Sequence, residues 1–242
     1  MGWFGASVFY CRVAFLWGGG YYVTLNSMRI KSLNHIIPIR NIPFEINEER
    51  VLRELRIPRI KTLKEMEEQN VAKFIKWAID TAYTLIEGNG CYVTFELARS
   101  PEGEIYIKEA PAIFKAPSIQ KLLKKCDYVT LLLATLGPKL EDKVDSIKQE
   151  DASGAYYLET VGGWMADYMT DKVDAFVEAE VVKWGYDRTM RYSPGYGDWH
   201  LEAQQGILPL LEAEKLNVQL TDSCIMIPRK SVTAAVGWEK RG

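Results

Sequence analysis

The sequence has few of the residues from which metal and thiol chemistry is usually built. It contains two histidines, His35 and His200, and four cysteines that are spread along 242 residues without paired spacing. Zinc sites and iron–sulfur clusters need several such ligands at short spacings, so we predict no metal site. Scattered cysteines in a chain of this length are typical of reduced, buried thiols, which favours a cytoplasmic protein.

The sequence also lacks an excess of charge of either sign. Thirty basic residues stand against thirty-two acidic ones, which gives a formal net charge of −2. This balance creates no field that would attract nucleic acid or an anionic membrane, and we predict neither as a partner. The sequence has no phosphate-binding Gly-x-x-x-x-Gly-Lys loop, no nucleophile elbow and no catalytic cysteine–histidine spacing, so we assign no catalytic residue.

The first 27 residues differ from the rest of the chain. They are apolar and aromatic, Arg12 is their one charged residue after the start, and the glycines at 18–20 interrupt them. The interruption comes before the roughly 20 continuous apolar residues that a membrane span needs. We interpret residues 1–27 as an over-extended reading frame with the true start near Met28, and a membrane-associated segment is the alternative. Residues 28–242 are predicted to form one domain, and removal of 1–27 is expected to leave folding intact.

Alternating helical and extended patterns follow. Apolar residues at helical spacing predict one helix over 62–85, begun by a capping box, and a longer one over 152–184. Extended patterns predict an edge strand within 28–44 and a hairpin of 91–97 with 104–107. They also predict a buried strand over 128–134 and a last apolar strand over 232–236. Together they predict an α+β fold in which an antiparallel or mixed sheet is flanked by helices, one of them long.

One stretch, residues 191–200, concentrates side chains suited to ligand binding. It holds two glycines, a proline, three aromatic residues and one arginine. Gly195 and Gly197 permit positive φ angles and Pro194 restricts the backbone, which predicts a rigid turn. The arginine suits a carboxylate or a phosphate, and the aromatic rings suit a flat or cationic ligand. A surface turn held by packed aromatic rings is an equally weighted interpretation of these residues.

A pair of glycines marks the middle of the predicted long helix. Because adjacent glycines weaken a helix, Gly162 and Gly163 predict either a kink or the close approach of another backbone or a ligand. Asp167 follows them by about one helical turn. Its position beside the glycines makes it a candidate binding residue.

The 191–200 stretch and the sequence after it resemble a known family. They are similar to the activation (reactivation) domain of cobalamin-dependent methionine synthase, in its short, free-standing form. The resemblance is strong over residues 128–237 and weak over 28–127. The matching segments are 132–137, 184–186, 191–199, 201–202, 204, 220–223, 226, 228 and 230–232.

The resemblance implies that the chain binds S-adenosylmethionine. The implied contact residues are Arg191, Tyr192, Ser193, Pro194, Gly195, Tyr196 and Asp167. Arg191 would pair with the methionyl carboxylate, and Asp167 with the α-ammonium or the ribose hydroxyls. The backbone of residues 192–195 would read the adenine edge, and Tyr196 would pack on the ligand or hydrogen-bond to it.

The resemblance also implies a biochemical role. The chain would support the reductive methylation of cob(II)alamin to methylcobalamin in methionine biosynthesis, with the cobalamin held by a corrinoid-carrying methionine synthase. Flavodoxin or ferredoxin would supply the electron. The chain would then be a component of the methyltransferase reaction and not a complete enzyme. Two alternatives stay open, namely an interaction-only module that docks a corrinoid protein, and an activator of a different corrinoid methyltransferase.

Overall fold

Five strands form the central sheet of the computed structural model, which describes residues 30–57, 62–66 and 70–241. The predicted leader, 1–27, lies outside the described residues. The strands of the described residues, inside and outside the central sheet, are β1 Ile37–Ile39, β2 Asn89–Glu96, β3 Ala98–Arg99, β4 Ile105–Tyr106, β5 Cys126–Thr135, β6 Tyr186–Arg188, β7 Gln219–Leu220, β8 Met226–Ile227 and β9 Ser231–Lys240. The helices are α1 Glu48–Glu54, α2 Asn70–Leu85, α3 Pro117–Leu123, α4 Lys139–Ile147, α5 Ala152–Lys183 and α6 Gln204–Leu210.

The central sheet has the order β1-β2-β5-β9-β6, and every neighbouring pair is antiparallel. Successive side chains of β5 point to opposite faces, so Leu132 enters one apolar cluster while Leu131 and Leu133 enter the other. Both faces of β5 are therefore buried, which accounts for its unbroken apolar sequence. The two-stranded pairs β3-β4 and β7-β8 lie outside this sheet.

The long helix α5 covers one face of the sheet together with α2 and α4. It begins at Asp151, whose carboxylate accepts a hydrogen bond from the Gly154 N–H at 2.8 Å. A Cβ atom at Gly162 would lie 2.7 Å from Leu140 Cδ2, whereas one at Gly163 would meet nothing within 4 Å. The predicted close approach at the glycine pair is thus made at Gly162 by Leu140 of α4, which packs on α5.

The structure corrects two local predictions. The strand over 91–97 forms as β2, but it pairs with β1 and β5, because both of its faces carry apolar side chains that need cover. The turn over 100–103 instead joins the short strands β3 and β4. Residues Leu63–Met66 form a 3₁₀ helix and not the first α-helical turn, and α2 is described over Asn70–Leu85.

The predicted α+β fold is confirmed, and its sheet is antiparallel throughout. The long helix and the buried strand over 128–134 form where they were predicted, as α5 and β5. The last strand, β9, is longer than predicted. Within the part of the chain that the structure describes, no helix combines the length and apolar character needed to cross a membrane.

Candidate ligand-binding site

A cavity of about 470 Å³ lies between α5, the segment after β6, the start of α6 and the start of β9. It brings together six of the seven predicted site residues, and Gly195 is the one that does not line it. The lining residues are Asp167, Met190, Arg191, Tyr192, Ser193, Pro194, Tyr196, Leu201, Gln204, Met226, Ser231, Val232 and Thr233. Residues distant in sequence thus converge on one concave surface, as in most small-molecule sites.

The backbone at Tyr192 fastens one wall of the cavity to the sheet. Its N–H donates to the Ala235 carbonyl at 2.9 Å, and the Ala235 N–H donates back to the Tyr192 carbonyl at 2.8 Å. This pair of hydrogen bonds extends the antiparallel pairing of β9 by one residue. The side chains that flank Tyr192 are therefore carried by a sheet edge and not by a free loop.

The predicted turn over 191–200 forms. Gly195 and Gly197 have φ angles of +97° and +57°, which glycine adopts with little strain. The Gly195 N–H donates to the Trp199 carbonyl at 2.6 Å, and the Tyr192 hydroxyl donates to the Tyr196 carbonyl at 3.0 Å. A Cβ at Gly197 would lie 2.6 Å from that hydroxyl, so the turn also needs glycine for space.

The far end of the turn is packed into the body of the protein. The Trp199 side chain is buried, its indole N–H donates to the Ile113 carbonyl at 2.7 Å, and its ring stacks on Tyr192 at 5.9 Å between centroids. The Asp198 carboxylate accepts hydrogen bonds from the Ser118 N–H and hydroxyl. Tyr192 and Trp199 thus hold the turn in place, whereas the exposed Tyr196 ring does not.

Carboxylates along one face of α5 surround the Arg191 guanidinium. Its Nη1 atom lies 2.5 Å from Asp171 Oδ1 and 3.9 Å from Asp174 Oδ2. Asp174 is buried and makes a closer contact with Arg188, at 2.7 Å. Within the described residues, the Arg191 side chain makes no other hydrogen bond, so its Nε and Nη2 donors are left for another acceptor.

Asp167 lies one turn before Asp171 on the same face of α5. Loss of hydration raises the pKa of its carboxyl group, the nearby Arg191 lowers it, and the negative charges of Asp171 and Glu54 raise it again. Its carboxylate accepts no hydrogen bond from any residue that the structure describes. A positively charged group bound beside Asp167 would therefore stabilise the ionised carboxylate.

Gln204 lines the cavity but was not among the residues predicted for the site. Only 4% of it is exposed, and its Oε1 atom has no hydrogen-bond partner. Gln204 occupies the first position of a buried helical stripe whose other members, at i+3, i+4 and i+7, are Ile207, Leu208 and Leu211. A polar residue in an apolar stripe is a sequence signal that could have identified it.

No cysteine or histidine of the described residues lines the cavity. Burial raises the pKa of both Cys91 and Cys126 to about 12, so these thiols stay protonated near neutral pH. His200 is exposed and borders a different groove, together with Pro111 and Gln205. In the described ranges, no cluster of three or more His, Cys, Asp or Glu side chains could hold a metal ion.

Comparisons with known proteins point to one family. The family model described as vitamin B12 dependent methionine synthase, activation domain, matches residues 116–241, which is more than half of the chain. A crystal structure of the MetH reactivation domain bound to AdoHcy is similar to this chain, with a TM-score of 0.60 and 17% sequence identity. The match covers 86% of this chain and 79% of that chain, and at this identity it shows a shared fold. No curated protein matches the chain by sequence.

Proposed function

The chain belongs to the family of activation domains of vitamin B12-dependent methionine synthase, and from this premise we propose that its cavity binds S-adenosylmethionine. The bound ligand would serve the reductive methylation of cob(II)alamin to methylcobalamin on a corrinoid-carrying methionine synthase in the cytoplasm. The structurally similar reactivation domain was crystallised with AdoHcy, the product that S-adenosylmethionine leaves after giving up its methyl group. This likeness supports the proposal without identifying any contact residue here.

The observation that carries the proposal is the meeting of Arg191 and Asp167 at one cavity. An amino acid presents a carboxylate and an ammonium group side by side, and the two side chains offer the complementary charges. The free Nε and Nη2 donors of Arg191 form a planar fork that matches a carboxylate in two parallel hydrogen bonds. Asp171 holds the third donor atom, Nη1, and so fixes the direction of the fork.

The remaining charge of the site suits a cationic ligand. Three carboxylates, Asp167, Asp171 and Asp174, line this face of α5, and two arginines, Arg188 and Arg191, oppose them. Glu178 also contacts Arg188, and the charge of Glu54 acts on Asp167, so negative charge is in excess here. This excess favours a sulfonium centre, as does the exposed face of the Tyr196 ring. We infer that the reactive end of the ligand lies on this side of the cavity.

The chain itself supplies binding and orientation. The sulfonium group of the ligand carries the methyl group, the cobalamin of the partner accepts it, and an electron donor such as flavodoxin or ferredoxin supplies the electron. Transfer needs the methyl carbon in line between the leaving sulfur and the acceptor. Asp167 and Tyr196, both exposed beside the cavity, lie where a docked partner would complete the site and exclude water.

Calorimetric titration of S-adenosylmethionine into the full chain tests the proposal. The titration is run with and without a methionine synthase that carries cob(II)alamin but lacks an activation domain, and free methionine is the control ligand. Binding to the chain on its own supports a preformed site, and binding only in the mixture means that the partner completes it. Absence of binding in both cases would refute the proposal and leave the interaction-only module. A separate assay adds reduced flavodoxin as the electron donor and follows methylcobalamin by its absorbance. Binding without methylation in that assay would instead favour a different corrinoid methyltransferase.

A further inference from the structure

The Gln204 carboxamide is a buried polar group without a partner. Only 4% of the residue is exposed to solvent. Its Oε1 atom is buried and accepts no hydrogen bond from any residue that the structure describes. An amide oxygen that is left unpaired in the interior destabilises the folded protein. Native structures contain few such groups, and each calls for an explanation.

Packing does not explain the choice of glutamine at this position. The other members of the stripe, Ile207, Leu208 and Leu211, are apolar and belong to the core beneath the sheet. A leucine at 204 would continue the stripe and carry no unpaired polar atoms. The neighbouring Gln205, by contrast, is exposed and its amide donates to Cys224 Sγ at 3.1 Å. The cavity that Gln204 lines is therefore the place where a bound ligand can supply its missing hydrogen-bond partner.

The two sides of the cavity differ in polarity. The α5 side presents charge, through Asp167 and Arg191, whereas the α6 side presents the apolar side chains of Leu201 and Met226 next to Gln204. A ligand with a zwitterionic end and a heteroaromatic end fits this division. Apolar walls suit the faces of a purine, and a single carboxamide suits its hydrogen-bonding edge.

We propose that Gln204 recognises the amino-bearing edge of the adenine ring of the ligand. Its carbonyl oxygen would accept a hydrogen bond from the 6-amino group, and its amide nitrogen would donate to the ring nitrogen N7, the geometry in which glutamine pairs with adenine elsewhere. Gln204 then reads the N6–N7 edge of the ring, and the backbone of residues 192–195, which the family resemblance assigns to the adenine, would contact the rest of it. This inference rests on the proposed function, since it assigns one end of the same ligand.

Comparing S-adenosylhomocysteine with S-inosylhomocysteine tests this role, because the second compound carries a carbonyl in place of the 6-amino group. We expect the wild-type chain to prefer the adenosyl compound by about 10- to 100-fold, the range expected for one bidentate base contact. The variant Gln204→Leu should lose most of its affinity for the adenosyl compound. Its affinity ratio between the two compounds should fall towards one.

A second measurement separates recognition from a structural role. Because Gln204→Leu removes an unpaired buried amide, the ligand-free variant should melt at the same temperature as the wild type or higher. A structural hydrogen bond at Gln204 would instead lower the melting temperature, and that result would overturn the proposal. Gln205→Leu is the matched control, one residue away in the same helix, and should leave the affinity ratio unchanged.

The outcomes also separate this inference from the proposed function. A wild-type chain that binds neither compound, with or without the corrinoid partner, would refute both. A wild-type chain that binds both compounds equally would overturn the role of Gln204 and leave the proposed function standing, even if the variant failed to fold. A folded Gln204→Leu variant that retained the wild-type preference would also overturn the role of Gln204 and leave the proposed function standing.

Discussion

The two halves of the 191–200 turn differ in how completely their polar groups are paired. In the second half, Trp199 donates to the Ile113 carbonyl and Asp198 accepts from Ser118, so each side chain has its partner inside the protein. In the first half, the Tyr192 hydroxyl is paired, but only one nitrogen of Arg191 is. The nearby Asp167 and Gln204 make no side-chain hydrogen bonds within the described part of the chain.

This difference suggests how one short segment serves two purposes. A buried polar group that is paired stabilises the fold, whereas one that is left unpaired costs stability unless something else binds it. The second half together with Tyr192 therefore acts as an anchor, and the rest of the first half, with α5 and α6, as a binding surface. Variants in the anchor should affect folding, and variants in the binding surface should affect ligand affinity.

The largest effect is expected for Trp199→Ala. Removing a buried indole and its hydrogen bond should lower the free energy of unfolding by about 3–5 kcal/mol. Denaturant unfolding measures the change, and His200→Ala, at the exposed neighbouring residue, should stay within about 0.5 kcal/mol of the wild type. If the two variants were equally stable, Trp199 would not be an anchor and the comparison would fail.

Arg191→Ala should show the opposite pattern. We expect it to weaken S-adenosylmethionine binding by about 1.5–3 kcal/mol, the contribution of a hydrogen bond to a charged group. Folding should be preserved, because Asp174 keeps its closer contact with Arg188. Titration and thermal melting are measured on the same sample. Unchanged affinity in the folded variant would remove Arg191 from the site.

Asp171→Asn provides the control for that experiment. Asp171 contacts Arg191 but does not line the cavity, so the substitution removes a competing carboxylate and leaves the predicted ligand contacts in place. Affinity should fall only slightly, because the asparagine oxygen still accepts from Arg191 Nη1 while the site loses one negative charge. A loss as large as that of Arg191→Ala would mean that the ion pair positions the arginine.

Much of the candidate site was predictable because its residues are close together in sequence. Residues 191–196 form one turn, and glycine and proline have backbone preferences that act locally. Asp167 was predicted from its place beside two glycines. The explanation for those glycines was different, because Gly162 accommodates Leu140.

The remaining lining residues could not be predicted, because they reach the cavity through pairing between distant segments. Thr233 and Ser231 line it only because β9 lies next to Tyr192, and that pairing depends on the order of strands in the sheet. The same limitation explains the misassigned partner of β2. Local alternation predicts that a strand forms, but the neighbour it takes depends on which faces must be covered.

Gly197→Ala tests whether the anchor also shapes the binding surface. The added Cβ would lie 2.6 Å from the Tyr192 hydroxyl, which donates to the Tyr196 carbonyl. Gly185→Ala is the matched control, since its φ is also positive, at +78°, but nothing lies within 4 Å of the added atom. Both variants should lose about 1 kcal/mol of stability from backbone strain. Gly197→Ala should lose more, because the added Cβ displaces the Tyr192 hydroxyl. Only Gly197→Ala should also reduce affinity; equal affinities in the two would separate the turn from the site.

The smallest effect concerns the pH dependence of binding through Asp167. Its pKa is raised, chiefly by loss of hydration, so its carboxylate takes up a proton at a higher pH than an ordinary aspartate. If the ionised form binds the ligand's ammonium, affinity should fall as the pH drops through that raised pKa. Bound ligand should in turn lower the pKa of Asp167. Asp167→Asn should weaken binding a few-fold near neutral pH and flatten the profile, whereas Asp142→Asn, on α4, should leave the profile intact. A profile that kept its shape in Asp167→Asn would assign the titration to another group and leave Arg191 as the one charged contact on this side of the cavity.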